Sequence, residues 1–185
     1  MPAFNVYLGE VCTTNLSQTQ KNEVQSALTT WFGQICNSTS FTPIVSWINS
    51  APATIQNNEL LVYFVATTSD SVIRHMPGYN GGAGQSDGFT FFTDNLHASE
   101  VYVSRSSGWL AEIAFHELMH NKLHLRDAAL HARTGLARVP VSAGSQPSGQ
   151  NITQMRAALA ASRPQWANAW SSVTCPDPND PLFGL

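Results

Sequence analysis

The stretch WLAEIAFHELMHNKLHL, residues 109–125, decides how this chain is read. Its apolar residues recur at helical spacing, which predicts a helix. Ile113, Ala114, Phe115, Leu118, Met119 and Leu123 leave little of that helix polar, which predicts burial. Within it stands His116-Glu117-Leu118-Met119-His120, the pattern H-E-x-x-H. Residues four apart on a helix share a face, one turn above the other. Two imidazoles at that spacing can bind one Zn²⁺ from one side. Glu117 then lies beside the metal, where it can act as general base toward a water that the metal activates. The alternative is a solvated helix face that happens to carry two histidines. The apolar flanks argue against it, because buried histidines need partners. The chemistry implied is hydrolysis, most often of a peptide bond.

Working outward, residues 4–11 alternate and predict a first strand. Ser17 can cap a helix through about residue 35, with Leu16, Val24, Leu28 and Trp31 on one stripe. Residues 44–48 follow Pro43 as a second strand, and the apolar run 60–66 reads as a central one. The glycine-rich stretch 77–88 has no period and predicts a loop, either a mobile surface segment or a rim over the cleft. Residues 89–93 and 100–104 read as two short strands, after which Ser106, Ser107 or Gly108 starts the motif helix. A polar loop at 142–150 leads to a last helix over about 153–172, with Trp166 and Trp170 at four-residue spacing and Pro164 as a break or kink. The expected organisation is one domain, residues 1–175, followed by an extended proline-rich tail, 176–185.

Composition narrows the setting. Charged residues are 11% of the chain, against about 25% on average, and uncharged polar residues take the surface instead. That pattern suits a protein working outside the cell that made it. The net charge of -3, with no basic run, favours neither nucleic acid nor an anionic membrane as partner. The N-terminus does not read as a signal peptide and no stretch approaches a membrane span, so any export is expected to proceed without a cleaved leader. Three cysteines, Cys12, Cys36 and Cys175, are too few and too far apart for a zinc site. Cys12 and Cys36 flank the first helix and could pair, or all three could remain thiols.

On His116, Glu117 and His120, set in a helix that follows a group of strands, the chain resembles the zincin metallopeptidases. Its element order is similar to that of the metzincin branch. The resemblance is specific over about ten residues and architectural elsewhere. It implies an α+β, zincin-like fold: a mixed twisted sheet with a backing helix, an active-site helix and a C-terminal helix. It also implies a zinc cofactor, peptidase activity and an edge strand that aligns the substrate, for which residues 100–104 are the candidate by position. The chain departs from the metzincin pattern H-E-x-x-H-x-x-G-x-x-H/D, with Leu123 at the glycine position and Arg126 at the third ligand. Met155 is the one methionine after the motif, so it alone could form the family's Met turn, and helix-core methionine is its other role. No tyrosine follows Tyr102.

A catalytic zinc normally takes three protein ligands. Glu117 is the last glutamate, which excludes a later glutamate as the third. His124 continues the helical series but lies about 12 Å from His116 along an unbroken helix, too far to share an ion of about 2 Å bond length. It could bind only if the helix broke after His120. Asp127 would be an aspartate ligand one residue beyond the family position, or else the N-cap of a short segment at 128–133. His131 requires the chain to double back after about residue 125, with Gly135 ending the return. The metal-ligand candidates are therefore His116 and His120 with His131 or Asp127; if His131 binds, Asp127 can orient a ligand ring. Glu112 could do the same from one turn earlier, or be plain helix surface. His75 and His97 are isolated upstream histidines, candidates for steadying an oxyanion and otherwise surface residues.

The leading expectation is a zinc-dependent endopeptidase, acting on a protein or peptide and expected as a monomer, with an immunity or inhibitor protein as a candidate partner. The suggested setting is a delivered bacterial toxin or effector; a protease acting on its producer's own secreted proteins is the rival. Two other readings stay open: a non-catalytic zincin-like domain binding metal or a partner, and a hydrolase of non-peptide amides such as cell-wall crosslinks.

Overall fold

The computed structural model describes residues 1–11, 14–50, 52, 54–76, 79, 86–93, 97–106, 108–159 and 161. Burial alternates along the first strand, β1 (Ala3–Glu10), where Phe4, Val6 and Leu8 are wholly buried on one face. Ser17 caps α1 (Gln18–Cys36) through a capping box: its hydroxyl accepts from the Gln20 amide, and the Gln20 side chain accepts from the Ser17 amide. β2 (Thr42–Ile48) and β3 (Glu59–Val65) follow, β3 as the apolar run expected of a central strand. β4 (Gly88–Phe92) and β5 (His97–Tyr102) complete a five-stranded sheet of order β2-β1-β3-β5-β4. β4 alone runs antiparallel to its neighbour; the other pairings are parallel. The fold class is thus α+β with a mixed sheet.

This order corrects one expectation. Residues 100–104 cannot serve as an edge strand, because β5 is hydrogen-bonded to β3 on one side and β4 on the other. The edges of the sheet are β2 and β4, and β4 is the one beside β5. Chain order misled here: the later strand inserts beside β3, and the earlier one is pushed outward.

After a single turn, α2 (Val103–Ser106), comes the motif helix α3 (Leu110–Leu123). It packs with α1 against one face of the sheet. Phe115 meets Trp31 and Phe32 edge-on, with ring centroids 5.4 and 5.8 Å apart, and Phe32 stacks on Phe4 of β1. Such pairs add about 0.5–1.5 kcal/mol each beyond area burial and fix the roll of α3. As its apolar sequence predicted, α3 is buried almost all round, so its polar residues need partners. Lys122 finds them in the carbonyls of Asn57 (2.7 Å) and Ala161 (3.1 Å). The other face of the sheet carries Leu61, Tyr63, Val65 and Tyr102 under residues 67–76. Glu100 ties that segment down by accepting from the Ser71 and Tyr102 hydroxyls and the Val72 and Ile73 amides.

Two short elements, α4 (Asp127–His131) and α5 (Gly149–Ala158), complete the described helices. α5 begins inside the stretch expected to be a loop, because Ser148 and Asn151 form a capping box three residues apart. Met155 is fully buried within α5 and packs in the main core, so it is a core methionine and not a turn. The possible Cys12–Cys36 pairing, most of the glycine-rich loop, the tryptophans near the end and the tail lie outside the described residues. No helix among the described residues is long and apolar enough to cross a membrane.

Candidate metal centre

His116 and His120 occupy successive turns of α3, 4% and 5% exposed. Their Nε2 atoms are 3.1 Å apart. His131, the last residue of α4, places its own Nε2 at 3.2 Å from each of them. Three ring nitrogens therefore form a nearly equilateral triangle. A tetrahedral ion with bonds of about 2.0–2.1 Å keeps its ligand atoms about 3.3 Å apart, so the triangle has the size such an ion needs.

The protons on these rings are assigned by their other partners. His116 Nδ1 lies 2.6 Å from the Leu136 carbonyl, and His120 Nδ1 lies 2.6 Å from the Leu125 carbonyl. A carbonyl can only accept, so both Nδ1 atoms are the N–H donors. Burial, reinforced by the neighbouring imidazoles, pushes the His116 pKa down to about 3; burial lowers His120 as well. Both rings are therefore neutral, with a bare Nε2 lone pair aimed into the triangle. Lone pairs held this close repel one another unless a cation lies between them. The donor set thus fits a metal ion, and three imidazoles suit zinc among others.

The local fold explains how His131 arrives. α3 ends at Leu123, two residues earlier than expected, because His124 adopts the left-handed conformation at φ 55°. Sequence offers no glycine for this, so the break was not anticipated. The His124 ring is instead held from outside: its Nδ1 is 3.0 Å from His97 Nε2 and its ring centroid is 4.6 Å from that of Phe92. The reversal brings the Leu125 carbonyl back onto His120 and swings α4 beneath the end of α3. Gly135, at φ 63°, then turns the chain so that Leu136 reaches His116.

Asp127 opens α4; it is the first helical residue and not the cap, which is Arg126. Its side chain is 87% exposed, with Oδ1 3.9 Å from His120 Nε2, at the rim of the triangle and outside it. His124 lies apart with His97, and neither lines the cleft. His75 ends a short 3₁₀ turn on the segment covering the opposite face of the sheet. Glu112 accepts from the Gly144 amide at 2.8 Å and so braces the turn after the cleft wall.

Glu117 lies in the cleft with the histidines. This cleft, about 290 Å³, is walled by β4, by α3 and by Val139, Pro140 and Val141. Burial raises the Glu117 pKa to about 8, partly offset by a hydrogen bond from Thr90 Oγ1 to Oε2 at 2.7 Å. A buried carboxylate poised near neutrality suits general-base work. Thr90, the two carbonyls and the 139–141 wall were missed in the sequence. A backbone carbonyl carries no side-chain signature, and Thr90 stands in an ordinary alternating strand. Comparison with family models, with curated proteins and with solved structures gives no match.

Proposed function

We propose that this chain is a zinc-dependent hydrolase of peptide bonds with a zincin-like, metzincin-type architecture. One observation carries the reading: three histidine Nε2 atoms converge within 3.2 Å, two of them on rings whose proton is held on Nδ1 by a carbonyl acceptor, beside a buried glutamate in the same cleft. His116, His120 and His131 would hold the ion. A Zn²⁺ there supplies Lewis acidity, making a water acidic near neutrality and polarising a carbonyl oxygen.

The chain's own groups do the rest. The Leu136 and Leu125 carbonyls fix the two helix rings in the tautomer that presents Nε2. Glu117 takes one proton from the attacking water as its oxygen bonds to the carbonyl carbon. It then delivers that proton to the amine nitrogen as the C–N bond breaks. Among the described strands β4 is an edge of the sheet, and it lines the cleft where an extended peptide could add beside it.

The test is direct. Purified protein is assayed for bound metal and for cleavage of an unstructured protein, beside E117Q. The expected result is one zinc per chain in both, with hydrolysis at least about 10³-fold slower in E117Q. Full activity in E117Q would sink the mechanism.

A second reading has its own observation. Asp127 Oδ1 stands 3.9 Å from His120 Nε2. A small movement of that exposed carboxylate would give the ion a fourth protein ligand and close the position a substrate needs. The site would then be structural, in a non-catalytic domain that binds metal or a partner. Zinc without any hydrolysis, regained on changing Asp127 to Ala, would favour it.

A further inference from the structure

Gly88 and Thr90 lie two apart in β4, so both face α3. Their target is the same side chain. A Cβ built on Gly88 would stand 2.8 Å from both Cγ and Oε1 of Glu117 and 2.6 Å from Cγ2 of Ile113. No side chain fits there without displacing the glutamate. Two residues on, Thr90 Oγ1 reaches Glu117 Oε2 at 2.7 Å, the shortest of its contacts; it is also 2.9 Å from the Glu117 carbonyl and 3.0 Å from Ser99 Oγ.

Asn121 Nδ2 can only donate, and it points to Ser99 Oγ at 3.1 Å. Ser99 Oγ can then donate its own proton to Thr90 at 3.0 Å, a closer acceptor than the Glu117 carbonyl at 3.3 Å, and Thr90 can donate to the carboxylate, which only accepts while ionised. A chain of donors, Asn121 to Ser99 to Thr90 to Glu117, thus ends on one oxygen of the base. Each donor is oriented by the one behind it.

We propose that Thr90, with the gap left by Gly88, is the positioning device for Glu117, so that the strand offering its edge to a peptide also sets where the base points. The role of Glu117 as base rests on the reading above. Thr90 acts through Glu117 and touches no reacting atom.

The experiment compares wild type, T90V, T90S and G88A as zinc-loaded protein, by crystal structure, zinc content, unfolding midpoint and steady-state peptide cleavage. Valine keeps the shape of threonine and removes the hydroxyl; serine restores it. In T90V the Glu117 carboxylate should leave its place, and kcat should fall about ten- to hundredfold with KM within about twofold. Zinc content and midpoint should stay near wild type. T90S should return both the carboxylate and most of kcat, and G88A should displace the carboxylate from the other side. Should Glu117 stay in place in T90V, or kcat hold within about twofold of wild type, the proposal falls. If wild type cleaves nothing, the functional reading fails separately, and the crystal structures of T90V and T90S still decide whether Thr90 positions Glu117.

Discussion

Two groups of histidines lie at opposite ends of one short segment, and they resolve the same problem differently. In both, ring nitrogens approach within hydrogen-bond distance. In the pair, His97 Nδ1 donates to the Asn121 carbonyl at 2.9 Å, which leaves its Nε2 to accept from His124 Nδ1 at 3.0 Å. Each of these two contacts has one proton and one lone pair. In the triad the protons of His116 and His120 are spent on carbonyls, and their lone pairs meet each other. The pair is matched proton to lone pair; the triad sets two bare Nε2 atoms 3.1 Å apart, the arrangement that fits a cation. Close histidines are therefore not the mark of a metal site. What marks it is where their protons are.

The largest effect that comparison predicts is on metal content. H131A should lose stoichiometric zinc in equilibrium dialysis, with affinity down by more than about 100-fold, because a ligand is removed and not merely a supporting partner. H124A, which changes an equally close histidine, should retain one zinc per chain. Zinc lost from H124A and kept in H131A would invert the assignment of the two groups.

Next in size is the pH dependence of the metal-free protein. His116 is held down at about 3 in the fold and returns to about 6.5 when unfolded. Between those values the unfolded chain binds the extra proton, so this contribution is fully present above about pH 6.5 and is lost as pH falls toward 3, at about 1.4 kcal/mol per unit. Glu117 acts in the other sense. Its folded value is raised to about 8 from 4.5, so its contribution is present below about 4.5 and is lost as pH rises toward 8. The two oppose each other in wild type, and variants separate them. In chelator, the stability gap between wild type and H116A should shrink as pH falls below 6.5. E117Q should gain on wild type as pH rises from 4.5 to 8. Urea midpoints across pH 4.5–8 test both, and a gap that does not change with pH would remove the burial argument for that residue.

Much of this was legible in the sequence, for physical reasons that can be named. H-E-x-x-H on an apolar helix is a local pattern, and helix geometry alone puts His116 and His120 on one face. The five strands and the cap at Ser17 were equally local. His131 could be narrowed to one of two candidates, with Asp127 the other, since no later glutamate exists and His124 cannot reach an ion along a straight helix. What could not be read was whatever depends on residues distant in sequence. The break at His124 is held by His97 and Phe92, more than twenty residues upstream. The edge position of β4 depends on β5 inserting beside β3. The grip of Thr90 on Glu117 spans 27 positions and leaves no trace in either segment.

The smallest effect concerns that break, and it asks whether the pair serves the triad. A non-glycine residue at φ 55° costs about 1–2 kcal/mol, which the His97 bond and the Phe92 contact offset. H124A keeps the strain and loses the contacts, so it should destabilise the fold by about 1–2 kcal/mol. H124G loses the same contacts but relieves the strain, so it should stand within about 1 kcal/mol of wild type. Both should keep zinc, since the Leu125 carbonyl can still fold back onto His120. If H124G were instead the less stable of the two, left-handed geometry would not be what His124 contributes. The turn that delivers His131 would then depend on the imidazole itself, and the two groups of histidines would be one coupled unit.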